Sequence, residues 1–282
     1  VKKILRYISG QTFEMEKQWG INQLHRILMM QDMNQDIFEA EKEQARQVDY
    51  FTRDGFFLGT NLTSIPKKSI ARISMSGVMM TEDGMCSIGM VSLDKIFRQA
   101  YSNSSVDGIM FRVNTGGGQS SASDILFNTI SDRNKPVVTH GTLIASAGVG
   151  GTLKSDEIVL ESDSSFMGSI GTMMSLRKSI LEPENNGYLD LYSKKSKNKN
   201  KEYREAQKGN LEPFIEMLTR NDELFMNKVS KNRPLKGALK MRRETLSGGL
   251  FDGIGAKNRG LADGIGSFNY ALKRLNSHIS YK

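Results

Sequence analysis

Residues 108–119 read GIMFRVNTGGGQ, and residues 136–148 read PVVTHGTLIASAG. Each is a short apolar run that ends in small residues: three consecutive glycines after the first, Ala145-Ser146-Ala147-Gly148 after the second. A short apolar run bounded by turn residues reads as a buried strand. Between the two runs lies SSASDILFNTISDR (120–133), whose apolar spacing is helical, with Ser120 or Ser121 as its cap and Asp124 in its first turn. Strand, glycine turn, helix, strand is the grammar of a mainly parallel sheet covered by helices.

The pattern continues on both sides. IARISMSGVMM (70–80) alternates as a strand, and VSLDKIFRQAYSN (91–103) has helical spacing. ASAGVGGTLKS (145–155) reads as a helix with an unusual load of small residues. EIVLES (157–162), TMMSLRK (172–178) and YLDLYS (188–193) read as strands, and FMGSIG (166–171) as a turn. Beyond Lys199 the spacing is helical through residues 204–232 and 235–245. A glycine-rich, turn-like stretch follows at 248–266, then a closing helix at 267–276. Near the start, Leu24, Ile27, Leu28, Met30, Met33 and Ile37 fall near helical spacing. Asp54-Gly55 and LGTNLTSIPKKS, with Pro66, break that pattern. The expected organisation is a helical appendage (1–55), a linker (56–70) and an α/β domain with a helical C-terminal part (71–282).

Composition narrows the function. In 282 residues, 38% are hydrophobic and 27 are glycine, enough to build a core and too apolar for a mainly disordered chain. One cysteine, Cys86, leaves no disulfide framework and no cysteine zinc cluster. No apolar run reaches the roughly 18 residues of a membrane span, and the basic start VKKILRY lacks the apolar stretch of a signal peptide, so the chain reads as soluble and cytoplasmic. The net charge of +8 sits in the last third. Residues 194–208 carry seven Lys/Arg against Glu202 and Glu205, and residues 228–243 carry seven with no acid. Such segments attract acidic partners, but no aromatic residues interleave the second run, which argues against nucleic acid and for solvated faces.

Three small-residue clusters follow three successive strands: 114–118, 141–148 and 166–171. Ligands of open parallel sheets bind beyond the carboxyl ends of the strands. Consecutive glycines leave backbone N–H groups facing whatever sits above them, which suits an oxyanion or a phosphate. The phosphate-loop pattern GxxxxGK followed by Ser or Thr is absent, as is GxGxxG, so nucleotide binding is unsupported. Ser146 falls at a helix N-terminus, where it serves either as a plain cap or as a nucleophile beside N–H groups that hold negative charge. A serine nucleophile needs a base. Of the three histidines, His25 lies in the appendage, His278 in the tail and His140 on the strand leading to Ser146. A lysine is the other option, but an unperturbed lysine is almost fully protonated at neutral pH and must be desolvated to act.

In order, FRVNTGGGQSSASDI, KPVVTHGTLIASAGV, DEIVLESDSSFMGSIGTMMS and LYSKKSK resemble the signal peptide peptidase A family of serine peptidases, in particular the capsid (prohead) maturation proteases of tailed phages. The resemblance covers about residues 70–270. It implies a crotonase/Clp-protease-like α/β fold of repeated ββα units. It also implies a Ser146 nucleophile, oxyanion N–H groups from Gly117 and Ala147, and Ser169 helping to hold a lysine base. Gapless alignment on Leu191-Tyr192-Ser193 puts that lysine at Lys197; alignment on the Lys-x-Lys-Asp pattern of the cellular enzymes puts it at Lys199. The chain departs from the family at Gly116, where a proline is usual, and at Lys194-Lys195, where a glycine is usual. The implied activity is an endopeptidase cleaving scaffold or capsid proteins in a phage procapsid, self-cleavage included, with no metal or cofactor, as a homo-oligomer. The competing readings are a soluble bacterial peptidase of the same family, a non-catalytic assembly scaffold and, more weakly, a crotonase-type acyl-CoA enzyme.

Overall fold

The computed structural model describes residues 48–83, 88–176, 181 and 190–280, together with the backbone of residues 12–15. The described strands are β1 (Thr12–Met15), β2 (Val48–Phe51), β3 (Phe57–Thr60), β4 (Ser69–Ser76), β5 (Val106–Thr115), β6 (Gly117–Gln119), β7 (Val137–Ala145), β8 (Glu157–Leu160), β9 (Phe166–Gly168), β10 (Met173–Met174), β11 (Leu250–Asp252) and β12 (Gly264–Ile265). The helices are α1 (Met90–Ser102), α2 (Ser120–Ser131), α3 (Ala147–Thr152), α4 (Lys201–Gln207), α5 (Glu212–Asn232), α6 (Leu239–Thr245), α7 (Gly253–Asn258) and α8 (Phe268–Ser280).

The architecture is α/β, as the sequence leads one to expect. Among the described residues nine strands form one sheet, in the order β11-β9-β7-β5-β4-β2-β3, with β8 between β7 and β12. The pairs β4–β5, β5–β7, β7–β8 and β7–β9 are parallel. Strand alternation sorts the core into two layers. Ala71, Ile73, Ile109, Phe111 and Val137 face one side, where α1 seats Leu93 and Phe97 and α2 seats Leu126 and Ile130. Ile70, Met110, Val138 and Val159 face the other, where α8 brings Ala271, Leu272 and Leu275. Helices on both faces explain why the central strands read as continuous apolar runs.

Strand β7 divides the sheet. Its first half pairs with β8, from Val138 to Gly141; its second half pairs with β9, from Leu143 to Ala145. The register against β5 shifts between these halves, where Val113 partners Gly141 and Asn114 partners Leu143. Thr142 is thus an extra residue, a bulge that re-aims the end of the strand. Gly141 permits the close approach, since a Cβ there would lie 2.6 Å from the Val113 carbonyl oxygen.

Several expectations need correction. Val48–Phe51 and Phe57–Thr60, within the spans read as appendage and linker, are strands of the main sheet, β2 pairing with both β3 and β4. Asp54-Gly55 is the turn of a hairpin, not a break between units: Gly55 N–H donates to the Thr52 carbonyl and Thr52 N–H to the Phe56 carbonyl. Thr12–Met15 is a strand and not part of the helix that the sequence leads one to expect for the appendage; the rest of residues 1–47 lies outside the described residues. The cap of α2 is Gln119, with no side-chain bond, so neither Ser120 nor Ser121 plays that part. Phe166–Gly168 is a strand, and of residues 172–176, the described part of TMMSLRK, Met173–Met174 alone is one. Residues 190–193, the described part of YLDLYS, are not strand. The glycine-rich stretch 248–266 contains β11, α7 and β12.

Candidate active site

Ser146 joins the end of β7 to the start of α3 at φ 54° and ψ −115°. A non-glycine residue held there carries backbone strain, of order 1–3 kcal/mol, that persists only where the surroundings over-determine it. The surroundings are tight. Ser146 is 1% exposed, and its N–H donates to the Gly168 carbonyl at 2.8 Å. Every residue of α3 is buried. Its small residues are required by contact: a Cβ at Gly148 would meet Thr115 Cγ2 at 2.6 Å, one at Gly150 would meet Ser123 Oγ at 2.4 Å, and one at Gly151 would meet Leu126 at 2.7 Å. A bulkier helix would push Ser146 out of its turn.

The glycine cluster sits beside this turn. Thr115 partners Ile144 across the β5–β7 ladder, which brings Gly117 and β6 to the same end of the sheet as Ser146. Gly117 has φ 103°, and its N–H donates to Thr115 Oγ1 at 3.0 Å, while that hydroxyl donates to the Gly77 carbonyl at 2.7 Å. Met79 braces the other side of β6: its N–H donates to the Gly117 carbonyl, and its carbonyl accepts from Gln119 N–H, both at 2.9 Å. Ala147 is the first residue of α3, so its N–H has no acceptor within the helix.

The third cluster is the floor. Gly168 (φ 138°) and Ser169 (φ 54°) turn the chain after β9, and Ser169 N–H donates to the Gly249 carbonyl at 2.7 Å. The Ser146 hydroxyl points to the Gly171 carbonyl at 3.5 Å, a long and weak contact. Helix α5 straps this loop from outside. Thr172 N–H donates to Asp222 Oδ1 at 3.0 Å, and Thr172 Oγ1 donates to the Leu218 carbonyl at 3.0 Å. Burial pushes the Asp222 carboxyl above its ordinary range, and the Thr172 N–H only partly offsets this. Asp222 lies 50 residues along the chain from the loop it holds, and no local pattern announces it.

The structure gathers Ser146, Ala147, Gly117 and Ser169, and keeps the basic candidates apart from them. Lys197 and Lys199 are exposed, in a segment tied to α4: Arg204 donates to the Lys197 carbonyl and stacks on Tyr192 at 4.9 Å. Neither lysine amine is bonded to Ser146 or Ser169. His140 is buried on the α8 side of the sheet with Val138, and its Nε2 lies 3.0 Å from the Gly266 carbonyl oxygen. Burial lowers its pKa, the Gly266 contact opposing this. Six residues of strand, about 20 Å, separate it from Ser146, so it is no base for that hydroxyl. His278 pairs with Glu157 at 3.0 Å, and His25 lies outside the described residues. Among the described residues no group of three or more His, Cys, Asp or Glu is gathered to hold a metal ion.

Ser146 is held in a strained strand-to-helix turn, a backbone form that nucleophile turns of hydrolases also take. The chain belongs to peptidase family S49: the family's sequence model matches residues 129–282, more than half of the chain, a span that includes Ser146, Ala147, Ser169, Lys197 and Lys199 but not Gly117. Protease 4 of Haemophilus influenzae is 26% identical over 212 residues, covering 69% of this chain and 34% of that protein, so the chain spans about a third of its relative's length. Similar solved structures include ClpP1 from Listeria monocytogenes (TM-score 0.45, 16% identity, 71% of this chain and 94% of that one). An enoyl-CoA hydratase from Shewanella pealeana (TM-score 0.41, 8% identity, 76% and 71%) and the 1510-N membrane-bound stomatin-specific protease (TM-score 0.42, 16% identity, 75% and 85%) are also among them. No described helix is long and apolar enough to cross a membrane.

Proposed function

We propose that the chain is a serine endopeptidase with Ser146 as nucleophile. The observation that carries this reading is the strained Ser146 turn in a chain of peptidase family S49. A neutral lysine takes the Ser146 proton, and Oγ attacks the peptide carbonyl. The lysinium then gives its proton to the leaving amine as the C–N bond breaks, and water hydrolyses the acyl-enzyme. Ala147 N–H and Gly117 N–H hold the oxyanion, the latter once it gives up Thr115 Oγ1. Lys197 is the proposed base, with Lys199 second. Either requires the segment 194–199 to leave solvent and bring an amine to Ser146 and Ser169.

Scaffold or capsid proteins of a phage procapsid are the proposed substrates, supported by resemblance in the motif order. A fluorophosphonate probe and an unstructured protein such as casein test the chemistry. Ser146 should be labelled, casein cut, and both lost in Ser146→Ala; unaltered proteolysis by Ser146→Ala would end the reading. Co-expression with scaffold and capsid proteins tests the substrate. The exposure of both candidate lysines favours a second reading, a non-catalytic assembly scaffold, for which Ser146 would stay unlabelled.

A further inference from the structure

The segment Thr12–Met15 is paired where a peptide substrate would be read. Among the described residues β1 is the middle strand of a three-stranded sheet, β10-β1-β6, separate from the main one. It runs antiparallel to both neighbours. Phe13, Glu14 and Met15 partner Gln119, Gly118 and Gly117, while Thr12 and Phe13 partner Met174 and Met173. It also lies against α3, the short helix that Ser146 caps.

The strand edge it uses follows from hydrogen-bond accounting. Met79 takes the Gly117 carbonyl and the Gln119 N–H on one side of β6. In an extended strand the groups of the intervening residue face the opposite way, so Gly118 offers its N–H and carbonyl to the other edge. Gly118 cannot carry a side chain there, because its Cβ would lie 2.0 Å from the Met79 carbonyl oxygen. Its backbone is therefore bare for a visiting strand, and β10 supplies the matching edge. A two-edged slot of main-chain donors and acceptors binds an extended peptide by strand addition, with little demand on sequence. Antiparallel pairing sends β1 toward Gly117 as it runs from Thr12 to Met15, so its C-terminal end reaches the proposed oxyanion donor.

We propose that Thr12–Met15 is a self-supplied occupant of the peptide groove between β6 and β10, and that its departure controls access to Ser146. This rests on the peptidase reading above. Substrate then competes with a tethered segment, and the apparent affinity for any added peptide falls with the fraction of molecules whose groove is open.

The test uses the full chain with Cys86→Ser, Thr12→Cys and Met174→Cys. Directly paired antiparallel residues have Cα atoms about 4.5–5.5 Å apart, within the range a disulfide spans. Oxidation should crosslink the pair and slow fluorophosphonate labelling of Ser146 by at least about tenfold relative to the reduced protein, because it lowers the open fraction at least about tenfold, and dithiothreitol should restore it. Glu14→Pro, which removes the N–H that pairs with Gly118, should label faster than the parent. Failure to crosslink overturns the proposal, as does equal labelling of the crosslinked and reduced forms. A protein that crosslinks but whose reduced form never labels identifies the failure as that of the peptidase reading, and the proposal falls with it.

Discussion

At the scale of single residues, Ser146 shows a site bought at the expense of backbone comfort. Alanine keeps the strained φ of 54°, whereas glycine adopts it freely. Ser146→Gly should therefore abolish activity and raise stability by about 1 kcal/mol, or about 2 °C in the thermal midpoint of a domain this size. Calorimetry beside Ser146→Ala checks this, and a midpoint for glycine below that of alanine would refute the strain argument. The base is resolved by a methionine series, which keeps most of each stem and removes the amine. Lys197→Met should lose cleavage as completely as Ser146→Ala, while Lys194→Met, Lys195→Met and Lys201→Met stay active. If Lys199→Met is dead and Lys197→Met is active, the base is Lys199. If a lysine is the base as proposed, activity of the parent should increase with pH, because only a neutral amine accepts the serine proton.

At the scale of elements, β8 is tied on both sides through two adjacent carboxylates. Asp156 accepts from Arg133 Nη2 at 2.8 Å and Val137 N–H at 2.8 Å; Glu157 accepts from Arg274 Nε at 2.8 Å and from His278. Burial pushes both carboxyls up, but these bonds more than offset it and leave both below their ordinary values. A depressed carboxylate contributes stability above its unfolded pKa and loses it as pH falls through the folded one. The thermal midpoint should therefore hold above about pH 5 and drop on acidification below about pH 4. Glu157→Gln should lower it at neutral pH and flatten the acid limb. Truncation separates the elements at the other edge. Removing residues 1–55 deletes β2 and strips the pairing edge of β4, so a poorly soluble product is expected. Removing residues 1–47 spares the nine-stranded sheet, and circular dichroism melts should show a folded core.

At the scale of the whole molecule, the family resemblance leads us to expect a homo-oligomer, and light scattering should give a mass above that of one chain. A monomeric mass across working concentrations would remove that expectation. The two basic segments lie mostly in solvent, on the 194–199 loop and on α4, α5 and α6. Arg233 is the exception, 7% exposed and bonded to Asp263 through two nitrogens. Charge alone assigns it to a solvated face, because charge says nothing of where a helix end is buried.

The sequence by itself determined the order β4, α1, β5, α2, β7, α3 and β8 and the serine turn between β7 and α3, but read Gly117–Gln119 and Phe166–Gly168 as turns where the structure has β6 and β9. That order and the serine turn depend on local rules, the apolar period and the small residues that a close turn demands. Its errors over residues 48–60 share one cause. VDYF and FLGT are too short to alternate convincingly, and Asp54-Gly55 reads equally as a break or a hairpin until β4 supplies the partner. Only the tertiary structure decided that Thr142 is a bulge, that α5 reaches back through Asp222 to hold the floor of the site, and that Thr12–Met15 lies against Gly117–Gln119. It also set His140 on the far face of the sheet and left Lys197 and Lys199 in solvent. Each is a matter of register or of a contact across many residues. Such pairings are fixed by which backbone edges remain unpaired once the sheet has formed, and no periodicity along the chain encodes that.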